Sequence, residues 1–138
     1  MYGAPEATLL VVTDVALDQR VINALESAAQ ALGHDEGACI ATCAELAGDP
    51  AAFIATCDPW AVVAIDEPSE ELLKRAFPPE SQALRPDAPV AVPEGYLLVS
   101  VPEFAQCLDD LPLKRIAWNR LKAARHPGNP LERQRPSS

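Results

Sequence analysis

The sequence predicts a three-layer α/β domain in which a four-stranded parallel sheet is covered by helices on both faces. Four short apolar runs alternate along the chain with segments of helical periodicity, and such alternation requires crossover connections between parallel strands. The chain is 49% hydrophobic but only 5% aromatic, as expected for a core of Ala, Val, Leu and Ile. Its 138 residues are enough for one domain.

The first β-α unit begins at residues 7–12, ATLLVV, a continuous apolar run typical of a strand buried on both faces. Asp18 is placed to cap the following helix, and Gly33 is placed to end it. His34, next to this helix end, lies where the helix dipole favours a positive charge. One helix face is predicted to carry the apolar residues Val21, Leu25, Ala28 and Leu32.

The second unit has a strand at residues 38–43, ACIATC, followed by a short helix at residues 49–56. Asp49 is a suitable N-cap for this helix, and Pro50 is tolerated in its first turn because the nitrogen there needs no intrahelical partner.

The third unit has a buried strand at residues 61–66, AVVAID, and a helix at residues 69–77. Ser69 is predicted to cap this helix. Its apolar side carries Leu72, Leu73 and Ala76.

Six prolines between residues 78 and 102 argue against a helix there and favour a loop with short extended pieces. Residues 96–101, YLLVSV, are predicted as the fourth strand. A helix then begins near Pro102, is interrupted near Pro112 and resumes up to Arg125. We therefore predict one domain over residues 1–127 and a disordered polar tail over residues 128–138.

The C-terminal helix carries a tryptophan among basic residues, and two interpretations of it are open. Trp118 beside Lys114 and Arg125 could form an aromatic and basic platform for a nucleotide base, but the simpler and favoured interpretation is that it covers the edge of the sheet beside solvated cations. The candidate nucleic-acid contacts are Lys114, Arg115, Trp118, Lys122 and Arg125. The predicted buried face consists of Leu113, Ala117, Leu121 and Ala124.

The net charge of −9 is unevenly distributed. Residues 1–113 hold 4 Lys/Arg against 19 Asp/Glu, which is −15, and residues 114–138 hold 7 against 1, which is +6. Most of the surface would therefore repel a polyanion, and any contact with DNA has to use the C-terminal segment.

No apolar run approaches the ~20 residues needed to cross a bilayer, and MYGAPEATLL lacks the positively charged start of a signal peptide. We expect a soluble cytoplasmic protein with no membrane partner. The four cysteines show no CxxC spacing and no histidine closely following them, so we expect reduced thiols, no metal site and no cofactor.

Acidic residues follow two of the predicted strands, at Asp14 and at Asp66–Glu67. Ligands of open α/β sheets collect at the carboxyl ends of strands, so these carboxylates could hold Mg²⁺, and Asp66 could be the acceptor of a phosphoryl-receiver domain. The receiver interpretation lacks an adjacent acidic pair and a lysine on a further strand. Helix capping by solvated acids is the simpler interpretation for Asp18, Asp49 and Glu67.

Four segments, taken in order, resemble the family-4/5 uracil-DNA glycosylases. They are TLLVVTDVALD at 8–18, ALGHDEGACIATC at 31–43, DPWAVVAIDEPSEELL at 58–73 and VSVPEFAQCLDDLPLKRIAWNRLKA at 99–123. The resemblance spans residues 7–125 and implies a Rossmann-like fold and a place in DNA metabolism.

The reaction residues of that family are not matched. Thr13 to Ala16 stand where the family has a G-E-x-P loop, and only an acid at Asp14 is kept. Cys43 stands where an asparagine reads the flipped uracil, and Val101 where a histidine stabilises the leaving anion. Glu103 replaces a serine, and the iron–sulfur cysteines have no counterparts here. The resemblance therefore implies a fold without the catalysis.

Three hypotheses follow. The first is a non-catalytic glycosylase-fold protein that acts as a binding or adaptor module for a protein partner, a role for which the similarly sized psi subunit of the bacterial clamp loader is a precedent. The second is a divergent nucleotide- or base-processing hydrolase with a pocket at Asp14 and Asp66, and the third is a DNA-binding module that uses the basic C-terminal helix. The candidate pocket residues are Thr13, Asp14, Cys43, Asp66, Glu67 and Val101.

Overall fold

A computed structural model describes residues 1–4 and 6–126, and the predicted tail at residues 128–138 lies outside this range. The strands are β1 Leu9–Thr13, β2 Ala38–Thr42, β3 Ala61–Ala64, β4 Val90–Ala91 and β5 Leu97–Ser100. The helices are α1 Gln19–Ala31, α2 Cys43–Leu46, α3 Pro50–Cys57, α4 Glu67–Ala76, α5 Phe104–Cys107 and α6 Leu111–Leu121, with 3-10 turns at Glu80–Ala83 and Lys122–Ala124. Within this range no helix combines the length and apolar character required to span a bilayer.

The sheet has the order β2-β1-β3-β5-β4. The first four strands are parallel, whereas β4 pairs with β5 in the antiparallel sense. The α/β class is confirmed, but the sheet is mixed and has five strands in the described residues, not four parallel ones. The extra strand forms because the chain turns back between Val92 and Tyr96, where Gly95 adopts a φ of 104°.

Two apolar cores lie on opposite faces of the sheet, because successive side chains of a strand point to opposite sides. Leu9 and Val11 belong to the core that also contains residues of α1, α5 and α6. Leu10 and Val12 belong to the core that contains residues of α2, α3 and α4. Helices on both faces are compatible with a three-layer arrangement.

Four of the six helices in the described residues begin at an aspartate N-cap. The predicted caps Asp18 and Asp49 are confirmed, since each accepts a hydrogen bond from the backbone three residues later. The predicted cap Ser69 is wrong: α4 begins two residues earlier, with Asp66 as its N-cap and Pro68 in its first turn. A proline there lacks only a donor that the helix would not have used.

The segment after β2 contains a helix that was not predicted. Residue Cys43 begins α2 and does not end β2, because Thr42 and Glu45 form a reciprocal capping box. In the proline-rich stretch, the turn at Glu80–Ala83 is held by Ser81, whose hydroxyl donates to the carbonyl of Lys74.

The C-terminal helix is divided as predicted, although the proline is not the cause. The chain leaves α5 after Cys107, and Asp110 then caps α6 with Pro112 in its first turn. Ala117, Leu121 and Ala124 are buried as predicted. Leu113 is not, with 43% of its surface exposed, because it lies in the first turn, before the part of the helix that packs on the core.

Candidate functional site

A cavity of about 600 Å³ opens at the carboxyl ends of β1 and β2, and we call it the strand-end cavity. It brings together Asp14 and Cys43, which follow different strands and were both predicted as pocket residues. Arg75 of α4, which was not predicted, also lines it. The full lining is Asp14, Cys43, Ala44, Ala47, Pro50, Pro68, Leu72 and Arg75.

Asp66 stands beside this cavity, but both of its carboxylate oxygens are used by the fold. Oδ2 accepts from the backbone N–H of Asp14 at 2.8 Å and lies 3.2 Å from the hydroxyl of Thr13. Oδ1 accepts from the backbone N–H of Ser69 at 3.0 Å and from its hydroxyl at 2.6 Å. Asp66 therefore ties the end of β1 to the start of α4.

Cys43 is held as a neutral thiol. Its sulfur lies 3.4 Å from the Ser69 hydroxyl, which already donates its proton to Asp66, so the thiol is the donor of this contact. Burial raises the pKa of Cys43 and the charges of Asp66 and Asp14 raise it further, while the nearby Ser69 hydroxyl and the charge of Arg75 partly oppose the rise. A thiol that stays protonated near neutral pH is a poor nucleophile.

The other predicted pocket residues lie apart from the strand-end cavity. Thr13 is buried, and its hydroxyl lies 2.9 Å from the carbonyl of Val15 as well as near Asp66. Glu67 is an exposed first-turn residue of α4. Val101 is fully buried in the core on the opposite face of the sheet, so its side chain does not reach the cavity.

Strand alternation explains the position of Val101, because the neighbouring Ser100 takes the other face. The hydroxyl of Ser100 donates to the carboxylate of Glu70 on α4, which also lies 3.4 Å from the ammonium of Lys74. Glu70 is only 8% exposed. The sequence did not indicate this buried pair, since a single glutamate in an amphipathic helix is typical of a solvent-facing position.

The strand-end cavity therefore offers one exposed acid, one arginine and a neutral thiol. Across residues 1–4 and 6–126, no group of three His, Cys, Asp or Glu side chains is placed to hold a metal ion.

A second site lies between α1, α5 and α6, and we call it the α1–α6 groove. Its volume is about 430 Å³ and its lining is mostly apolar. Lys114 and Arg115 line it, together with Trp118, which is half-buried against the core. The apolar lining consists of Ala24, Ala28, Phe104, Cys107, Leu108, Leu111, Ala117, Trp118 and Leu121, and Asn119 completes the set.

The five candidate nucleic-acid contacts divide between this groove and the surface beyond it. Lys114, Arg115 and Trp118 line the groove, whereas Lys122 and Arg125 are exposed and do not. Trp118 packs against the core and not over open surface, and it also lines the groove.

Comparison of the chain with protein-family models and with curated proteins gave no match.

Proposed function

We propose that this chain is a non-catalytic protein of the uracil-DNA glycosylase fold that acts as a binding or adaptor module in DNA metabolism. The observation that carries the proposal is that both carboxylate oxygens of Asp66 are occupied by hydrogen bonds within the fold. Its four hydrogen-bond contacts all go to the chain itself, so the acid at the end of β3 is a structural group. A general base or a metal ligand needs an oxygen that can reach a substrate or an ion.

The replaced reaction residues support the same proposal. Base excision needs a donor for the leaving uracil anion, and Val101 is an apolar side chain buried away from the cavity. Reading uracil needs a paired donor and acceptor, whereas the thiol of Cys43 is only a weak donor and acceptor and already contacts Ser69. An α/β domain that lacks the groups for the reaction is what the proposal requires.

This proposal predicts that the protein does not excise uracil. Uracil-containing single- and double-stranded oligonucleotides incubated with the full chain should give no more alkali-labile abasic sites than buffer alone. A parallel reaction with an active uracil-DNA glycosylase shows that the substrates are competent. Excision well above the buffer rate would overturn the proposal.

A divergent hydrolase is the second candidate, favoured by the size of the strand-end cavity and by Asp14 and Arg75 in its lining. Asp14 is exposed, and among the described residues its carboxylate makes no hydrogen bond or ion pair. This candidate predicts that Asp14→Asn abolishes hydrolysis of a nucleotide or base substrate while the thermal midpoint stays within ~1 °C. An activity that survives unchanged in Asp14→Asn contradicts it.

A further inference from the structure

Helix α6 exposes more large apolar surface than any other helix in the described residues. Leu111 is 64% exposed, Leu113 43% and Ile116 44%. At ~100° per residue, Leu111 lies within about 60° of Lys114 and Trp118, on the side of the helix that faces the α1–α6 groove. Leu113 and Ile116 lie about 140–160° away from Leu111 around the helix, so of the three only Leu111 adds exposed apolar surface to the groove.

The groove has the shape of a binding surface for apolar side chains. Ala24 and Ala28, one turn apart on α1, form a low wall, and Phe104 and Leu108 lie between this helix and α6. Small residues on one wall leave room for the side chains of a ligand. A groove between helices is a common receptor for an amphipathic helix that inserts its apolar face.

The charges around the groove favour a partner with acidic side chains. Residues 111–126 carry five basic side chains and no acidic one, in a chain with a net charge of −9. Lys114 and Arg115 are the two that line the groove. Arg20, one turn before Ala24, is held by Asp109 at 2.8 Å. Acidic groups on a ligand therefore meet attraction at α6 and repulsion from most of the remaining surface.

We propose that the α1–α6 groove binds an acidic amphipathic helix of a protein partner. The apolar side chains of that helix occupy the groove, and its carboxylates pair with Lys114 and Arg115. The inference rests on the proposed adaptor function and adds the surface and the chemistry of the partner. A nucleic acid would leave the apolar groove unused, and a symmetric second copy would bring the cations of two α6 helices together.

The test starts with a phage-displayed library of random peptides selected on the full-length protein. Enriched peptides are synthesised with a fluorescent label, and their affinity is measured by anisotropy. We expect them to carry Asp or Glu beside apolar residues at helical spacing. Filling the groove with Ala28→Phe should weaken binding at least about tenfold, while circular dichroism and the thermal midpoint show that the variant is folded.

A pair of matched charge reversals identifies the contacts. The double variant Lys114→Glu, Arg115→Glu should weaken binding at least about tenfold, whereas Lys122→Glu, Arg125→Glu should change it less than about threefold. Both variants change the net charge equally, so a general electrostatic effect would weaken both alike.

The outcomes separate this inference from the function on which it rests. If the selected peptides bind the Ala28→Phe variant as tightly as the original protein, the groove is not their site and the inference is overturned. The proposed function as a binding module is unaffected by that result. The inference is also overturned if no peptide is enriched in the selection. If, in addition, the protein excises uracil, the proposed non-catalytic function is overturned too. Two other results also count against the inference. One is a dimer in sedimentation that Ala28→Phe dissociates, and the other is oligonucleotide binding lost equally in both double variants.

Discussion

Replacing His34 with alanine is expected to lower the free energy of unfolding by roughly 3 kcal/mol, which corresponds to a fall of roughly 10 °C in the thermal midpoint. The imidazole is fully buried and joins two distant parts of the chain. Its Nδ1 lies 2.6 Å from the Thr8 hydroxyl, just before β1, and its Nε2 lies 2.7 Å from the carbonyl oxygen of Ala124, just after α6.

The two partners determine the tautomer of this histidine. A carbonyl oxygen can only accept, so Nε2 carries the proton and donates to Ala124, and Nδ1 accepts from the hydroxyl of Thr8. Alanine at this position would leave both partners without a hydrogen bond and would create a cavity. The backbone N–H of His126 also donates to the carbonyl of Leu32, so the segment after α6 is hydrogen-bonded to the end of α1 and to His34.

Thermal unfolding of a small set of variants checks the size of the effect. Thr8→Val keeps the side-chain shape but removes the donor to His34, and it should cost about 1–2 kcal/mol. Thr56→Val is the matched control, because the Thr56 hydroxyl is exposed and donates only within its own helix; it should change stability by less than about 0.5 kcal/mol. Equal losses of stability in the two threonine variants would contradict a specific contribution of the hydrogen bond between Thr8 and His34.

The same histidine should make stability depend on pH. Burial lowers the pKa of His34, the charge of His126 lowers it further, and the Ala124 hydrogen bond and Asp35 oppose the shift. The unfolded chain then binds more protons than the folded one as pH falls below ~6.5, so the free energy of unfolding falls with pH until His34 is also protonated in the folded state. His34→Gln should have a flatter profile in this window, and an unchanged slope would show that another group is responsible.

Much of the fold was predictable because its signals are local. The buried runs of β1, β2, β3 and β5 and the caps Asp18 and Asp49 depend on neighbouring residues, and all lie close to their predicted places. The additional strand β4 was not predictable, since Val90–Ala91 is too short to show an alternating pattern. It pairs with β5 only because Gly95 turns the chain.

The sites were predicted less well, because their geometry depends on contacts distant in sequence. Asp14 was found from its position after a strand, because parallel topology brings the carboxyl ends of strands to one edge, whereas Cys43 was found only through the resemblance to the glycosylases. His34 was predicted as a helix-end position that favours a positive charge, yet its partners Thr8 and Ala124 bury it in the neutral form. The α1–α6 groove arises from the packing of helices far apart in the chain, which no local pattern describes.

Replacing Asp66 with asparagine is expected to destabilise the fold by about 2 kcal/mol, and Asp66→Ala by about 3 kcal/mol. Asparagine is normally as good an N-cap as aspartate. Here, however, one carboxylate oxygen faces the donors of Ser69 and the other faces the backbone N–H of Asp14. An amide can present an oxygen to only one side, so its NH₂ group would meet a donor on the other.

Asp49 provides the control for this result, because it caps α3 through a single bond to the N–H of Ala52 and is exposed. Asp49→Asn should therefore be neutral within a few tenths of a kcal/mol. Chemical denaturation of both asparagine variants distinguishes a structural aspartate from a functional one. A functional aspartate is commonly held at some cost in stability, so Asp66→Asn would then be neutral or stabilising. A loss at Asp66 without a loss at Asp49 would identify Asp66 as a structural connection between β1 and α4. Among the described residues, Asp14 would then be the only candidate acid that lines the strand-end cavity.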